Sequence, residues 1–202
     1  MTDLAVHNKG ASREAKLVAA LKRRSIVLVG MMGAGKSSIG RRLSQRLAIP
    51  FSDADAEIEA AAGMTVPEIF ELRGEAEFRT GEARVIARLL EGGPQVLATG
   101  GGAFMNADTR SLVRIKAVSV WLKADFDVLM KRIKRRNDRP MLKTPDPAAT
   151  LRTLISERYP FYAQADITVE SRDVLHDVIV DEIIAALCGL VLDQRPDAGA
   201  PS

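Results

Sequence analysis

Gly30-Met-Met-Gly-Ala-Gly-Lys-Ser-Ser38 decides the fold, because a glycine, four residues and then Gly35-Lys36-Ser37 satisfy the complete P-loop pattern. Glycines let backbone N–H groups approach a phosphate chain without a Cβ in the way. Those groups form an anion-binding nest at a helix N-terminus, where the helix dipole favours negative charge. Lys36 can reach the β- and γ-phosphates, and the Ser37 hydroxyl can ligate Mg²⁺.

The residues on either side of this loop are of the types that a P-loop requires. Ser25 to Val29 form a short, apolar and β-branched run, which is typical of a buried parallel strand. From residue 36 to residue 48 apolar side chains recur every four residues, which predicts a helix. Strand, glycine loop and helix therefore occur in the required order. That order favours a nucleotide site over a chance glycine-rich turn.

The rest of the chain alternates between predicted strands and predicted helices. Four more strands are predicted, one starting at residue 50 and the others over 95–99, 117–122 and 166–169. The alternation predicts a three-layer αβα sandwich of the P-loop kinase type, with a five-stranded, mostly parallel sheet and right-handed crossovers. We assign the domain to residues 25–192. An extension over 1–24, made of a flexible tail and a short helix, precedes it, and a disordered tail over 193–202 follows it.

Composition narrows the functional class. The formal net charge of +3 does not by itself indicate nucleic-acid binding, and the apolar fraction of 47% is that of a soluble globular protein. Cys188 is the only cysteine, which excludes an internal disulfide and a cysteine-based zinc site. The sequence has no apolar run of membrane-spanning length and no signal-peptide apolar segment. We therefore expect a cytoplasmic monomer that binds neither nucleic acid nor membranes.

Asp53 and Asp55 follow the second predicted strand. On an extended segment, carboxylates two residues apart point to the same side, and at the carboxyl end of a strand that side can face the ligand crevice. Aspartate also suits the N-cap of a helix, and Asp55 precedes a helical stretch. On this pair alone the cap is the favoured interpretation, and the two roles are compatible.

Three further features admit a structural or a functional interpretation. Arg79 is either a surface ion-pair partner of Glu75 or Glu82, or a ligand for an anion. The triple glycine 100–102 after a strand is either a flexible turn or a place where backbone approaches a ligand. The cationic run 131–139 is either a solvated helix face or the start of a lid over residues 137–147.

Taken in order, these motifs resemble those of the shikimate kinase family, and the resemblance covers about residues 26 to 187. The matching segments besides the P-loop are Phe51-Ser52-Asp53-Ala54-Asp55, Gly74-Glu75-Ala76-Glu77-Phe78-Arg79, Thr99-Gly100-Gly101-Gly102, Asp138-Arg139-Pro140-Met141-Leu142 and Glu157-Arg158-Tyr159-Pro160-Phe161-Tyr162. Met141 stands where leucine is usual, and the extension before residue 25 has no counterpart in the family core.

The resemblance implies ATP-dependent phosphorylation of the 3-hydroxyl of shikimate, with Mg²⁺ bound by Ser37 directly and by Asp53 through water. It implies that Arg139 reaches ATP from the lid, and that an adenine contact lies near Ser171 and Arg172. The residues implied for the ATP phosphates are Gly33, Ala34, Gly35, Lys36, Ser37 and Ser38. Those implied for shikimate are Asp55, Arg79, Gly101 and Arg158. Those implied for catalysis are Lys36, Asp55 and Arg139.

Two other functions remain open at this stage. A kinase for another small acceptor, such as gluconate or a nucleoside monophosphate, would have the same P-loop and sheet. A nucleotide-binding regulator would need neither Asp55 nor the arginines on the acceptor side. An acid such as shikimate needs a guanidinium fork for its carboxylate and a carboxylate for its hydroxyls, which Arg79, Arg158 and Asp55 supply.

Overall fold

The computed structural model describes residues 11–134 and 145–192. Its strands are β1 (Ser25–Val29), β2 (Phe51–Asp53), β3 (Val96–Ala98), β4 (Ala117–Lys123) and β5 (Ile167–Glu170). Its helices are α1 (Arg13–Leu21), α2 (Lys36–Leu47), α3 (Ala54–Ala62), α4 (Val66–Glu91), α5 (Ala107–Lys116), α6 (Phe126–Lys134), α7 (Pro147–Tyr162) and α8 (His176–Leu192), with a 3₁₀ turn over Ala103–Met105.

The five strands form one parallel sheet in the order β2-β3-β1-β4-β5. After β1 the chain adds strands first on one side of it and later on the other. This reversal leaves a crevice outside the carboxyl end of β1, where open α/β sheets bind their ligands. The P-loop follows β1 directly, so it lies at that crevice. The predicted three-layer fold is confirmed.

The sheet is buried between two helical layers. All five residues of β1 are buried, as expected of a central parallel strand. Helices α1, α2 and α8 pack on one another, whereas α4 packs on α5, and α6 on α7. The free Cys188 is buried in this core.

The helix predicted in the extension forms as α1. Ser12 caps it by accepting a hydrogen bond from the Ala15 N–H at 3.1 Å, and Leu17 and Leu21 are fully buried in the main core. The helix therefore packs with the domain that follows it. The domain boundaries remain a prediction, and residues 1–10 and 193–202 lie outside the described residues.

A second, smaller apolar cluster joins α3 to the first half of α4. Its buried members are Ile58, Ile69 and Phe78. Helix α4 kinks at Gly74, where φ is 80° and ψ is 168°. The kink divides α4 into two halves. Residues of α3 and of both halves of α4 line one of the cavities described below.

Helix α7 continues past a proline. Proline usually ends or kinks a helix, but α7 extends to Tyr162 with Pro160 inside it. Only two helical residues follow Pro160, so the hydrogen bond lost with its missing N–H affects the end of the helix alone. Tyr159 and Tyr162 both pack near Trp121, with ring centroids 5.0 and 6.0 Å from the indole, and this packing holds the last turn.

Candidate active site

The P-loop wraps around the ammonium group of Lys36. This side chain is buried, and its Nζ donates to the carbonyl oxygens of Gly30 at 2.8 Å and Met31 at 3.0 Å. Gly33 and Gly35 have φ values of 82° and 94°, which residues with a Cβ rarely adopt. A Cβ on Gly30 would lie 2.7 Å from the Leu122 carbonyl oxygen. The glycines are therefore required by both conformation and space.

Ser37 and Asp53 meet at the corner between the P-loop and β2. The Ser37 hydroxyl donates to Asp53 Oδ2 at 2.6 Å, and Asp53 Oδ1 accepts from the Asp55 N–H at 3.1 Å. Asp53 is thus the N-cap of α3. The expectation that Asp55 caps the helix, and that both carboxylates lie on an extended segment, is wrong because α3 already begins at Ala54.

The Ser37–Asp53 corner fits a magnesium ion better than a tightly chelated metal. Within residues 11–134 and 145–192, no group of three or more His, Cys, Asp or Glu side chains could hold a metal. One hydroxyl and one carboxylate beside a phosphate-binding loop match Mg²⁺, which keeps several waters and takes few protein ligands. The residues present therefore fit the metal that the sequence predicts.

The larger of two adjoining cavities, about 410 Å³, opens beside the P-loop. Six of the predicted nucleotide and metal residues line it, together with Asp55 and Gly101. The six are Gly33, Gly35, Lys36, Ser37, Ser38 and Asp53. Ala34 lies behind the loop instead, and its carbonyl oxygen accepts from the Ser171 hydroxyl at 2.7 Å.

Arg132 joins the P-loop to the segment after β5. Its Nη1 donates to the Ser171 hydroxyl oxygen at 2.9 Å and the Gly33 carbonyl oxygen at 3.3 Å, and its Nη2 donates to the Arg172 carbonyl oxygen at 2.7 Å. Sequence reasoning missed this residue among its cationic neighbours. Only its position on α6 distinguishes Arg132 from the other cationic residues of that helix.

The predicted adenine contacts lie at the edge of this cavity and do not line it. Ser171 is buried against the P-loop, and the Arg172 guanidinium pairs with Glu182. The lining on this side comes instead from neighbours that include Val174 and His176. Burial lowers the pKa of His176, and the charges of Arg42 and Arg132 lower it further, so the imidazole is neutral at neutral pH.

The second cavity, about 100 Å³, adjoins the first. All four predicted acceptor residues line it: Asp55, Arg79, Gly101 and Arg158. Asp55 and Gly101 also line the larger cavity. These two residues therefore lie at the boundary between the two spaces. Arg158 is only 7% exposed, and its Nη1 lies 3.5 Å from the position that a Cβ on Gly101 would take.

Arg79 is held by two carboxylates. Its Nη1 contacts Glu82 Oε2 at 2.8 Å and its Nη2 contacts Glu75 Oε1 at 3.0 Å. The ion pairs considered from the sequence thus form, but Glu82 is only 2% exposed and the pair belongs to the cavity wall. The description of this pair as a surface feature is wrong for Glu82.

Glu82 is the acceptor-side residue that sequence reasoning missed. Its Oε1 is buried and has no hydrogen-bond partner among the described residues. A Cβ on Gly100 would lie 2.5 Å from this oxygen and 2.8 Å from Asp55 Oδ1, so both carboxylates press against the glycine triplet. Burial raises the pKa of Glu82, and the charge of Arg79 opposes that rise. The cavity therefore holds two guanidinium groups against two carboxyl groups.

Arg139 and residues 137–144 of the proposed lid lie outside the described residues. The described chain resumes at residue 145, and α7 begins at Pro147 with Asp146 as its N-cap. The lid and the contact of Arg139 with ATP therefore stay predictions. No helix in the described part of the chain is both long and apolar enough to cross a membrane.

Comparison with known proteins gives concordant matches. A family model described as shikimate kinase matches residues 32–188. Shikimate kinase of Rhodopseudomonas palustris is 65% identical over 175 residues, 87% of this chain and 86% of the relative. That of Bradyrhizobium diazoefficiens is 63% identical over 190 residues, 92% of each chain.

Solved structures give the same result. Shikimate kinase from Acinetobacter baumannii in complex with shikimate superposes with a TM-score of 0.80, at 36% identity over 88% of this chain and 98% of that one. A gluconokinase from Sinorhizobium meliloti has a TM-score of 0.60 at 22% identity, covering 85% and 95% of the two chains. The likeness to the gluconokinase concerns the fold alone.

Proposed function

The chain belongs to the shikimate kinase family, and from that premise we propose how its two cavities transfer the γ-phosphoryl group of ATP to the 3-hydroxyl of shikimate. The products are shikimate 3-phosphate and ADP, in the shikimate pathway of aromatic amino-acid biosynthesis. One observation carries the assignment of sites. A P-loop cavity and a small cavity lined by two arginines adjoin each other at Asp55 and Gly101.

The larger cavity holds ATP. The backbone of residues 33–38 binds the phosphates, and Lys36 supplies positive charge to the β- and γ-phosphates. Ser37 would ligate Mg²⁺ directly, and Asp53, whose carboxylate lies 2.6 Å from the Ser37 hydroxyl, would hold a water of its shell. When bound, the metal neutralises charge that develops on the phosphates.

The smaller cavity holds shikimate. Arg79 and Arg158 bind the carboxylate, because planar guanidinium groups pair with carboxylates through two parallel hydrogen bonds. Gly101 lets the acceptor approach the backbone closely. Asp55 lies at the boundary with the ATP cavity, where the acceptor hydroxyl must meet the γ-phosphate.

Asp55 accepts a hydrogen bond from the reacting hydroxyl and orients it. Phosphoryl transfer passes through a loose transition state in most analyses, so orientation matters more than strong proton abstraction. The hydroxyl proton passes to Asp55 as the new P–O bond forms. Arg139 reaches the transferred phosphoryl group from the lid, and completes a catalytic set with Lys36 and Asp55.

Glu82 positions Arg79 for this task. Its buried carboxylate holds Nη1 at 2.8 Å on the cavity wall, whereas Nε and Nη2 contact the exposed Glu75 at 3.2 and 3.0 Å. Phe78 adds a cation–π contact, with its ring centroid 5.1 Å from the guanidinium carbon. The arginine is therefore held before the acceptor arrives, which lowers the entropic cost of binding.

The alternatives left open by the sequence are weaker. A regulator without acceptor chemistry would have no use for a second cavity with two buried or half-buried arginines. A gluconate kinase shares the fold, but the sequence likeness at high identity is to shikimate kinases. The expectation of a cytoplasmic monomer stays a prediction.

The proposed acceptor is tested by a coupled ADP-release assay across shikimate, quinate, gluconate and nucleoside monophosphates, each with and without Mg²⁺. ADP release should require Mg²⁺ and should be fastest with shikimate. Equal or faster turnover with gluconate or a nucleotide would contradict the assignment.

A further inference from the structure

Tyr162 makes a contact that ties α7 to the glycine triplet. Its hydroxyl donates a hydrogen bond to the carbonyl oxygen of Gly101, 61 residues earlier in the chain, and its side chain is fully buried. Gly101 is one of the residues that line both cavities. The hydroxyl thus contacts the backbone at the boundary where acceptor and nucleotide meet.

This hydrogen bond adds a constraint to a glycine-rich turn in which the carbonyl oxygens of Gly100 and Gly102 accept backbone hydrogen bonds from Ala103 and Met105. Glycine populates more backbone conformations than any other residue, and three occur here in sequence. Because the peptide unit is planar and trans, holding the Gly101 carbonyl also sets the direction of the Gly102 N–H. Gly102 in turn lies against the guanidinium of Arg79. One buried hydroxyl therefore fixes the backbone beside an acceptor-binding side chain.

The same face of α7 carries the second acceptor arginine. Arg158 and Tyr162 are four residues apart and so lie one above the other. The Tyr162 Oη also lies 3.9 Å from Met31 Sδ in the P-loop. This arrangement depends on the helix continuing through Pro160. Tyr162 thus contacts the glycine triplet and the P-loop, one helical turn beyond Arg158.

The Tyr162 hydroxyl is protonated, and therefore a hydrogen-bond donor, at neutral pH. Burial raises the pKa of Tyr162 to about 12, and the nearby Arg158 guanidinium opposes the rise. The phenol therefore keeps its proton at neutral pH. Its role is to hold geometry, not to exchange protons.

We propose that Tyr162 is a positioning residue for the acceptor: its hydroxyl holds Gly101 in the orientation that shikimate binding requires. The inference rests on the proposed function of the smaller cavity. It adds a residue that does not itself line either cavity.

The test compares Tyr162→Phe with Tyr159→Phe. Both tyrosines belong to the same helix and the same aromatic cluster, and the Tyr159 hydroxyl donates to the carbonyl oxygen of Ala124, away from the glycine triplet. Tyr159→Phe thus controls for the loss of a part-buried hydroxyl. For both variants and the wild type we would measure KM for shikimate and ATP, kcat, the Kd of shikimate by calorimetry and Tm.

Tyr162→Phe should raise both the KM and the Kd of shikimate by about three- to tenfold, the value of one neutral hydrogen bond. The KM of ATP should stay unchanged. Tyr159→Phe should leave the shikimate constants unchanged even if its Tm falls as much. An unchanged KM and Kd of shikimate in Tyr162→Phe, or equal changes in the two variants, would overturn this inference and leave the proposed function intact. A wild-type protein that binds no shikimate would overturn the proposed function as well.

Discussion

The Ser37 hydroxyl donates a 2.6 Å hydrogen bond to Asp53, which joins the start of α2 to the end of β2. Asp53 uses its other carboxylate oxygen to cap α3. One residue therefore serves both the proposed metal site and the fold. A substitution at residue 53 that still caps α3 but carries no charge would change the metal site without changing the fold.

Asp53→Asn is that substitution. Asparagine caps helices about as well as aspartate, so Tm should change little. A neutral amide holds metal-bound water less strongly than a carboxylate, so the Mg²⁺ concentration for half-maximal rate should rise while the KM of shikimate stays nearly constant. Magnesium titrations of the initial rate check this. An unaltered Mg²⁺ requirement would remove Asp53 from the metal site.

Asp55→Asn should act on the acceptor instead. Since Asp53 is the cap, this change should leave Tm close to that of the wild type. Loss of the carboxylate should lower kcat/KM for shikimate about a hundredfold or more, the range of general-base effects. ATP binding should be nearly unchanged. Steady-state kinetics and calorimetry with ATP measure the two quantities, and close to full activity would show that Asp55 has no chemical role.

Arg79→Lys and Arg158→Lys should weaken acceptor binding selectively. A charge-assisted hydrogen bond is worth roughly 1.5–3 kcal/mol, so the KM of shikimate should rise about ten- to a hundredfold in each. The KM of ATP should change far less. Arg73→Lys is the matched control, because Arg73 lies on the same helix and pairs with the exposed Glu77 at 3.2 Å.

The control should bind shikimate like the wild type, since surface ion pairs contribute little. If all three lysine variants kept the wild-type KM, neither Arg79 nor Arg158 would bind the acceptor carboxylate, and Arg79 would be an ordinary ion-pair residue. The kinetic comparison therefore decides between the two interpretations that the sequence leaves open.

The sequence predicts the motif residues well but not their partners. The P-loop, Asp55, Arg79, Gly101 and Arg158 carry local patterns, and the structure brings the last four to one cavity. Glu82 carries no such pattern. Glu82 is buried because the second half of α4 packs beside the glycine triplet that follows β3. The sequence around Glu82 does not predict that contact.

Two other features that the sequence did not predict have similar causes. The N-cap at Asp53 depends on where the sheet register ends, since β2 pairs with β3 only as far as Ala98. Tyr162 belongs to a segment that matches the family, but its contact with Gly101 was not predicted, because proline usually ends a helix whereas α7 continues past Pro160 and packs on Trp121. Long-range packing decides both, and local propensity does not.

Burial of Glu82 should appear in the pH dependence of stability. Its folded-state pKa is raised above the ordinary value of 4.5, mainly by burial. Its contribution to stability is therefore fully present below the unfolded pKa and is lost as pH rises through the folded pKa. Glutamine does not titrate, so the free energy of unfolding of Glu82→Gln should increase relative to wild type as pH rises from about 4 to about 8.

Urea denaturation across that range measures the difference. Glu77→Gln is the control, because Glu77 is exposed and its ion pair among the described residues is with Arg73. The control should show no such trend. A pH-independent difference between Glu82→Gln and the wild type would mean that Glu82 does not bind its proton more tightly in the folded state.

We propose that the protein transfers a phosphoryl group to the 3-hydroxyl of shikimate and to no other hydroxyl. The most direct measurement is NMR of the product formed from shikimate, ATP and Mg²⁺, read from the coupling between phosphorus and the ring protons. We expect one phosphomonoester whose phosphorus couples to the proton on carbon 3, formed in equal amount to ADP. A phosphate on another carbon, or ADP formed without phosphorylated shikimate, would contradict it.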